Sequence, residues 1–201
     1  YLEESELQPA WACTLTGLKD SPAKLARKDE ELSLADAVVV PSAFVRSTLE
    51  NYQSCKATIH VVPFGSPPPI VCTTRRDDAR PKSPLRILYV GSLGQRKGLS
   101  YCLDAVESLG KSVVLTLIGR PTTNNCEPLN RALNQHNWIE TLPHSQILDQ
   151  MRKHDVLLFP TLLDGFGLVI TEALSQGLPV ITTMNSGWPE CIRNGVEGFI
   201  V

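Results

Sequence analysis

The sequence predicts a doubly wound α/β fold, and three observations carry that prediction. Short apolar runs such as AVVV (37–40), RILYV (86–90), VVLTLIG (113–119) and DVLLFP (155–160) are strand-sized and show little polar alternation, as strands buried on both faces do. Segments of helical spacing stand between them in strict alternation. Hydrophobic residues make up 42% of the 201 residues, enough for a large buried core. In such sheets ligands bind outside the carboxyl ends of the strands. Chemistry is therefore expected in the loops after Val90, Ile118, Leu142, Pro160 and Thr183.

The elements follow in order. PAKLARKDEELSLA (22–35) opens on Pro and continues in strong helix formers with sparse apolar positions, which predicts a surface helix. Strand 37–40, a Ser-started helix SAFVRSTLENY (42–52) and an alternating strand TIHVV (58–62) come next. From Pro63 to Pro84 the text is rich in Pro, Ser and charge, which reads as a linker, with residues 67–84 dividing a segment 1–66 from a segment 85–201. The basic stretch RRDDARPK within it is charge-mixed and is expected to be solvated. Beyond it the pattern runs strand 86–90, helix 99–109, strand 113–119, a polar loop, strand 138–142, helix 145–154 and strand 155–160. Helix 168–177, strand 179–183, helix 188–194 and a strand in GFIV complete it. The chain opens at Tyr1 without Met and stops inside a strand pattern, so the expectation is a fragment of a longer protein.

A formal charge of −2 offers no global field for nucleic acid, so no nucleic-acid partner is expected. Six cysteines stand without a CxxC pair or zinc-type spacing, which reads as free thiols in a reducing, cytoplasmic setting. No signal peptide is visible, and the apolar runs fall far short of the ~20 residues that span a bilayer. The histidines at 60, 136 and 154 sit at element edges and are assigned no chemistry.

Two loops carry the chemistry. GSLGQRKG (91–98) lies between a strand and a helix, where glycines let backbone approach a phosphate and Arg96 and Lys97 bring positive charge. It is not a Walker A loop, because Arg96 precedes the Lys and Gly98 follows it, and its glycines miss the GxGxxG spacing. A plain glycine turn with a solvated Lys is an equal reading of that loop alone. The second loop sits in TLLDGFGLVITEAL (161–174), where Asp164 and Glu172 flank Gly165-Phe166-Gly167. Two carboxylates there can hold sugar hydroxyls on either side of a phosphate at the turn. Taken in isolation, Asp164 as a helix cap and Glu172 as a solvated side chain is the better reading.

The combination decides between them. HDVLLFPTLLDGFGLVITEALSQGLPVI resembles the donor-site motif of GT-B glycosyltransferases of the family 4 type: an apolar strand, Glu-Gly-Phe-Gly, Glu-Ala on a helix, then Gly-x-Pro-Val. LRILYVGSLGQRKGL, VVLTLIGR, LPHSQILDQMRKHDV and NGVEGFIV are similar to the same family, and ADAVVVPSAFVRSTL with IHVVPFG resembles the end of its acceptor-side domain. The resemblance implies the GT-B fold: a doubly wound, Rossmann-like donor domain (85–201) after the tail of a second Rossmann-like domain (1–66). It implies a retaining hexosyl transfer from a nucleotide-diphosphate sugar to a glycan, lipid or small-molecule acceptor, with no cofactor and no metal; no Asp-x-Asp triplet occurs. Peripheral membrane association of the intact enzyme is compatible with it, and the fragment alone is expected to be inactive.

By the same resemblance Lys97 would contact the donor diphosphate and Asp164 the transferred sugar, these two forming the catalytic pair. Glu172 would hold the ribose, and the turn Gly165, Phe166, Gly167 and Leu168 would meet the phosphate through its amides. Gly91 and Ser92 open the phosphate loop, with Arg96 supplying a charge that the family often carries at the place of Ser92. Gly119, Arg120, His144 and Ile147 would border the base. Asp164 is one methylene shorter than the family's usual Glu. The rival readings are an epimerase on the same fold and a non-catalytic nucleotide-sugar-binding module.

Overall fold

The structure, a computed structural model, describes residues 1–70, 84–187 and 192–201. It contains two parallel sheets. The smaller pairs β1 (Ala37–Val40) with β2 (Thr58–Val61). The larger has six strands, β3 (Leu85–Val90), β4 (Val113–Ile118), β5 (Asn137–Ile139), β6 (Val156–Phe159), β7 (Val180–Thr182) and β8 (Gly198–Ile200), in the order β5-β4-β3-β6-β7-β8. This is the doubly wound arrangement. From β3 the chain builds outward to β4 and β5, then returns to start β6 on the other side.

Two-residue periodicity splits the core in two. On one face Ile87 and Tyr89 of β3, Leu115 and Leu117 of β4, and Val156 and Leu158 of β6 share a cluster with Leu99, Cys102 and Leu129. The alternate residues Leu88, Val90, Ile118, Leu157 and Phe159 share the opposite cluster with Met151, Ile170 and Ala173. Burial of Cys102 pushes its thiol up to about 12, so it packs as a small hydrophobe.

The helices are α1 (Leu2–Leu7), α2 (Pro22–Leu34), α3 (Ala43–Glu50), α4 (Leu99–Leu109), α5 (Glu127–Gln135), α6 (His144–Lys153) and α7 (Leu168–Ser175), with short 3-10 turns at Pro9–Thr14, Thr16–Lys19, Gln95–Lys97 and Gly110–Ser112. The expected surface helix and the Ser-started helix are both present, the latter with Ser42 as its N-cap accepting from the Val45 amide.

Three expectations need correction. The polar loop after residue 119 contains α5: Pro128 stands in its first turn, and Leu129, Ala132 and Leu133 form one apolar stripe in otherwise polar text. The strand expected over 138–142 is Asn137–Ile139, because the chain leaves the sheet edge before Pro143. Of the helix expected over 188–194, residues 188–191 lie outside the described residues and 192–194 are not helical. Most of the expected linker, residues 71–83, also lies outside them, and residues 63–70 are irregular.

Residues 1–15 pack on the larger sheet's layer. Trp11 sits in the cluster with Ile87, Tyr89 and Leu129, and Leu15 is buried. The Gln95 amide donates to Thr14 Oγ1 (2.9 Å), while Gln95 Nε2 and the Tyr101 hydroxyl donate to the buried Glu4 carboxylate (2.6 and 3.0 Å). The loop before α4 is thereby held from outside the sheet. Trp11→Ala is expected to cost about 3–5 kcal/mol in chemical denaturation, as large-to-small changes of buried aromatics do, and to raise amide exchange in the 91–98 loop.

Candidate functional site

The strand order reverses between β3 and β6, and the loops leaving their carboxyl ends border a crevice there. These are the loops 91–98 and 160–167 read as chemical from the sequence. They touch directly. Gly98 has φ +69°, and a Cβ added to it would lie 1.8 Å from the Pro160 carbonyl oxygen. The Leu162 amide donates to the Arg96 carbonyl (3.1 Å), as does the Thr161 hydroxyl (3.3 Å).

This contact brings Lys97 and Asp164 together. Lys97 Nζ donates to Asp164 Oδ2 and lies 5.2 Å above the centre of the Phe159 ring. The Lys97 side chain is only 9% exposed and that of Asp164 21%. Burial holds the lysine below its ordinary range, opposed by the bond from Asp164. The other carboxylate oxygen, Asp164 Oδ1, accepts from the amides of Gly167 (3.1 Å) and Phe166 (3.3 Å), closing the Gly-Phe-Gly turn at the head of α7. Asp164 is thus both a turn-former and the partner of a buried cation; the N-cap of α7 is Gly167, with no side-chain cap bond, so Asp164 closes the turn before the helix rather than capping it.

A cleft of about 400 Å³ opens over this pair. Of the residues expected at the site, Gly91, Lys97, Asp164, Gly165, Phe166, Gly167 and Leu168 line it. Glu172 stands one turn along α7, and its Oε1 lies 2.8 Å from His144 Nε2 at the start of α6, so these two expected residues also meet. The remaining ones are placed differently. The Arg96 guanidinium donates to the Leu163 carbonyl (3.2 Å) and steadies the backbone before Asp164. Ser92 accepts from the Tyr89 hydroxyl through its carbonyl (3.3 Å). Gly119 accepts from Trp138 Nε1 (3.0 Å), Arg120 faces Glu140 (3.8 Å), and Ile147 packs against the core under α6 and α7.

Sequence reasoning missed the wall opposite. Pro41 and Phe64, both flanking the smaller sheet, line the same cleft. The Phe64 ring meets Phe166 edge-on, 5.2 Å between centroids. The Ser42 hydroxyl, besides capping α3, donates to the Gly165 carbonyl (2.5 Å). The cap itself was legible in VVPSAF, but its second bond spans 123 positions in sequence and left no local signal.

A family model described as glycosyl transferases group 1 matches residues 72–201. A glycogen synthase of Mycobacterium tuberculosis is 29% identical over 127 residues, 59% of this chain and 31% of that protein. The capsular polysaccharide biosynthesis glycosyltransferase CapM of Staphylococcus aureus is 34% identical over 119 residues, 56% of this chain and 31% of that protein. The chain spans about a third of the length of the curated relatives it matches. Among solved structures, sucrose-phosphate synthase from Thermosynechococcus elongatus superposes with a TM-score of 0.74 at 21% identity, covering 92% of this chain and 49% of that one. HepE of Anabaena, solved with UDP and glucose, gives 0.69 at 18% identity, covering 94% and 55%. The shared architecture is the GT-B fold.

The Gly98 contact makes a direct prediction. Gly98→Ala would place a methyl group inside the Pro160 carbonyl and strain a left-handed residue, so its loss of stability in urea titration is expected to reach about 1–3 kcal/mol or more.

Proposed function

The chain belongs to the glycosyl transferases group 1 family, and from that premise we propose that it carries the donor-binding part of a retaining glycosyltransferase. The donor is a nucleotide-diphosphate sugar, and the acceptor is a glycan, a lipid or a small molecule. The observation that carries the reading is the buried Lys97 facing Asp164 beside the head of α7, at the switch point of a parallel sheet. In this reading residues 85–201 form the donor domain, β1, β2 and α3 close the acceptor-side wall, and residues 1–15 pack against the donor domain.

The chemistry follows from charge. The bond from the anomeric carbon to the diphosphate oxygen breaks, a bond to an acceptor hydroxyl oxygen forms, and the proton of that hydroxyl passes to the departing diphosphate. The leaving diphosphate gains negative charge as this happens. Lys97 and the amides at the start of α7 sit where they can stabilise that charge. Glu172, steadied by His144, accepts the ribose hydroxyls, and Asp164 accepts those of the sugar. The neighbour HepE, solved with UDP and glucose, lends support to a nucleotide and a sugar in this crevice.

UDP, GDP or ADP at a hundred times its Kd should stabilise the intact protein by about 2.7 kcal/mol in thermal unfolding, and failure of all three would overturn the reading. Losing a charge-assisted bond, Lys97→Ala is expected to lower turnover roughly ten- to a hundredfold in a donor-hydrolysis or transfer assay. Because burial lowers the Lys97 pKa, the cation is lost as pH rises through a value below the ordinary lysine range. Donor affinity should therefore decline on that alkaline limb, and the decline should vanish in Lys97→Ala.

A further inference from the structure

We propose that Asp164 is a resident stand-in for the donor phosphate. Its carboxylate takes the donors at the anion position, and an arriving diphosphate takes those donors over and releases it toward the sugar. The proposal rests on the donor site argued above and adds how that site is held before substrate enters.

Asp164 uses the very groups a phosphate would need. Oδ2 takes the Lys97 ammonium, and Oδ1 takes the amides of Gly167 and Phe166 at 3.1 and 3.3 Å. The Lys97 side chain is 9% exposed and runs over the Phe159 ring, so its ammonium has little freedom to turn elsewhere. A diphosphate reaching Lys97 therefore meets a carboxylate already there. Two anions at one cation repel, and one must yield.

The backbone makes the side chain the part that moves. The Asp164 amide donates to the Asn185 carbonyl (2.9 Å), and Arg96 holds the preceding Leu163 carbonyl (3.2 Å). The Gly165 carbonyl is held by Ser42 on the far side (2.5 Å). With the chain pinned before and after it, Asp164 can leave the amides only by turning its side chain. That motion carries the carboxylate from the phosphate position into the cleft of about 400 Å³ where the sugar would lie. The carboxylate thus keeps a buried lysine paired until substrate supplies another anion.

The test is calorimetric titration of the intact protein with inorganic pyrophosphate, with UDP, GDP and ADP, and with the matching nucleosides. Asp164→Asn keeps an acceptor oxygen for the two amides and removes the competing charge. It should bind pyrophosphate and the preferred nucleoside diphosphate about tenfold more tightly than the native protein, while nucleoside affinity stays unchanged. Asp164→Glu keeps the charge and should show no tightening. Equal or weaker diphosphate binding by Asp164→Asn, or equal tightening by Asp164→Glu, would overturn the proposal while leaving the donor site standing. If no nucleoside diphosphate binds either the native protein or Asp164→Asn, the proposed function falls with it.

Discussion

The site depends on one steric constraint, the passage of the 91–98 loop against the 160–167 loop where the sheet reverses its strand order. At Gly98 the backbone of one loop lies so close to the Pro160 carbonyl that no side chain fits between them. A left-handed glycine is the residue that meets both demands, a positive φ and no Cβ. Once the loops are this close, the side chain before Gly98 and the acid four residues after Pro160 have little choice but to face each other.

That closeness explains the electrostatics. An ammonium as enclosed as that of Lys97 loses most of its hydration, and leaving it unpaired would be costly. Asp164 supplies the opposite charge and the Phe159 ring a polarisable floor. The carboxylate in turn accepts from two amides through its other oxygen, so both of its oxygens are engaged. An arrangement of this kind holds a preoriented positive charge at the wall of the cleft.

The Gly-Phe-Gly turn is also the meeting point of segments far apart in sequence. Ser42 and Phe64 reach it from around the smaller sheet, while Asn185 reaches it from the loop after β7. On the other side Glu4, Trp11 and Thr14 brace the glycine loop. A change in how the smaller sheet sits would act on the Gly165 carbonyl and Phe166 ring first. The turn is thereby tied to both walls of the cleft.

The fold class and the two glycine loops at strand ends were legible in the residues themselves, because buried parallel strands are all-apolar runs and glycine loops at their ends are local features; a role for those loops came only from the family resemblance. The RILYV and DVLLFP strands, the Ser42 cap and the Asp164/Glu172 spacing are of this kind. Helix α5 was hidden by its polar surface, since one stripe of three apolar residues is a weak signal beside Asn and Gln. What only the tertiary structure decided is which groups meet. Lys97 and Asp164 lie 67 positions apart, His144 and Glu172 28, and Ser42 and Gly165 123. Arg96, charged and adjacent to Lys97, was turned instead to a backbone carbonyl. Spacing along the chain sets which side chains stand at strand ends, but their pairing depends on sheet order and loop packing, which no local pattern encodes.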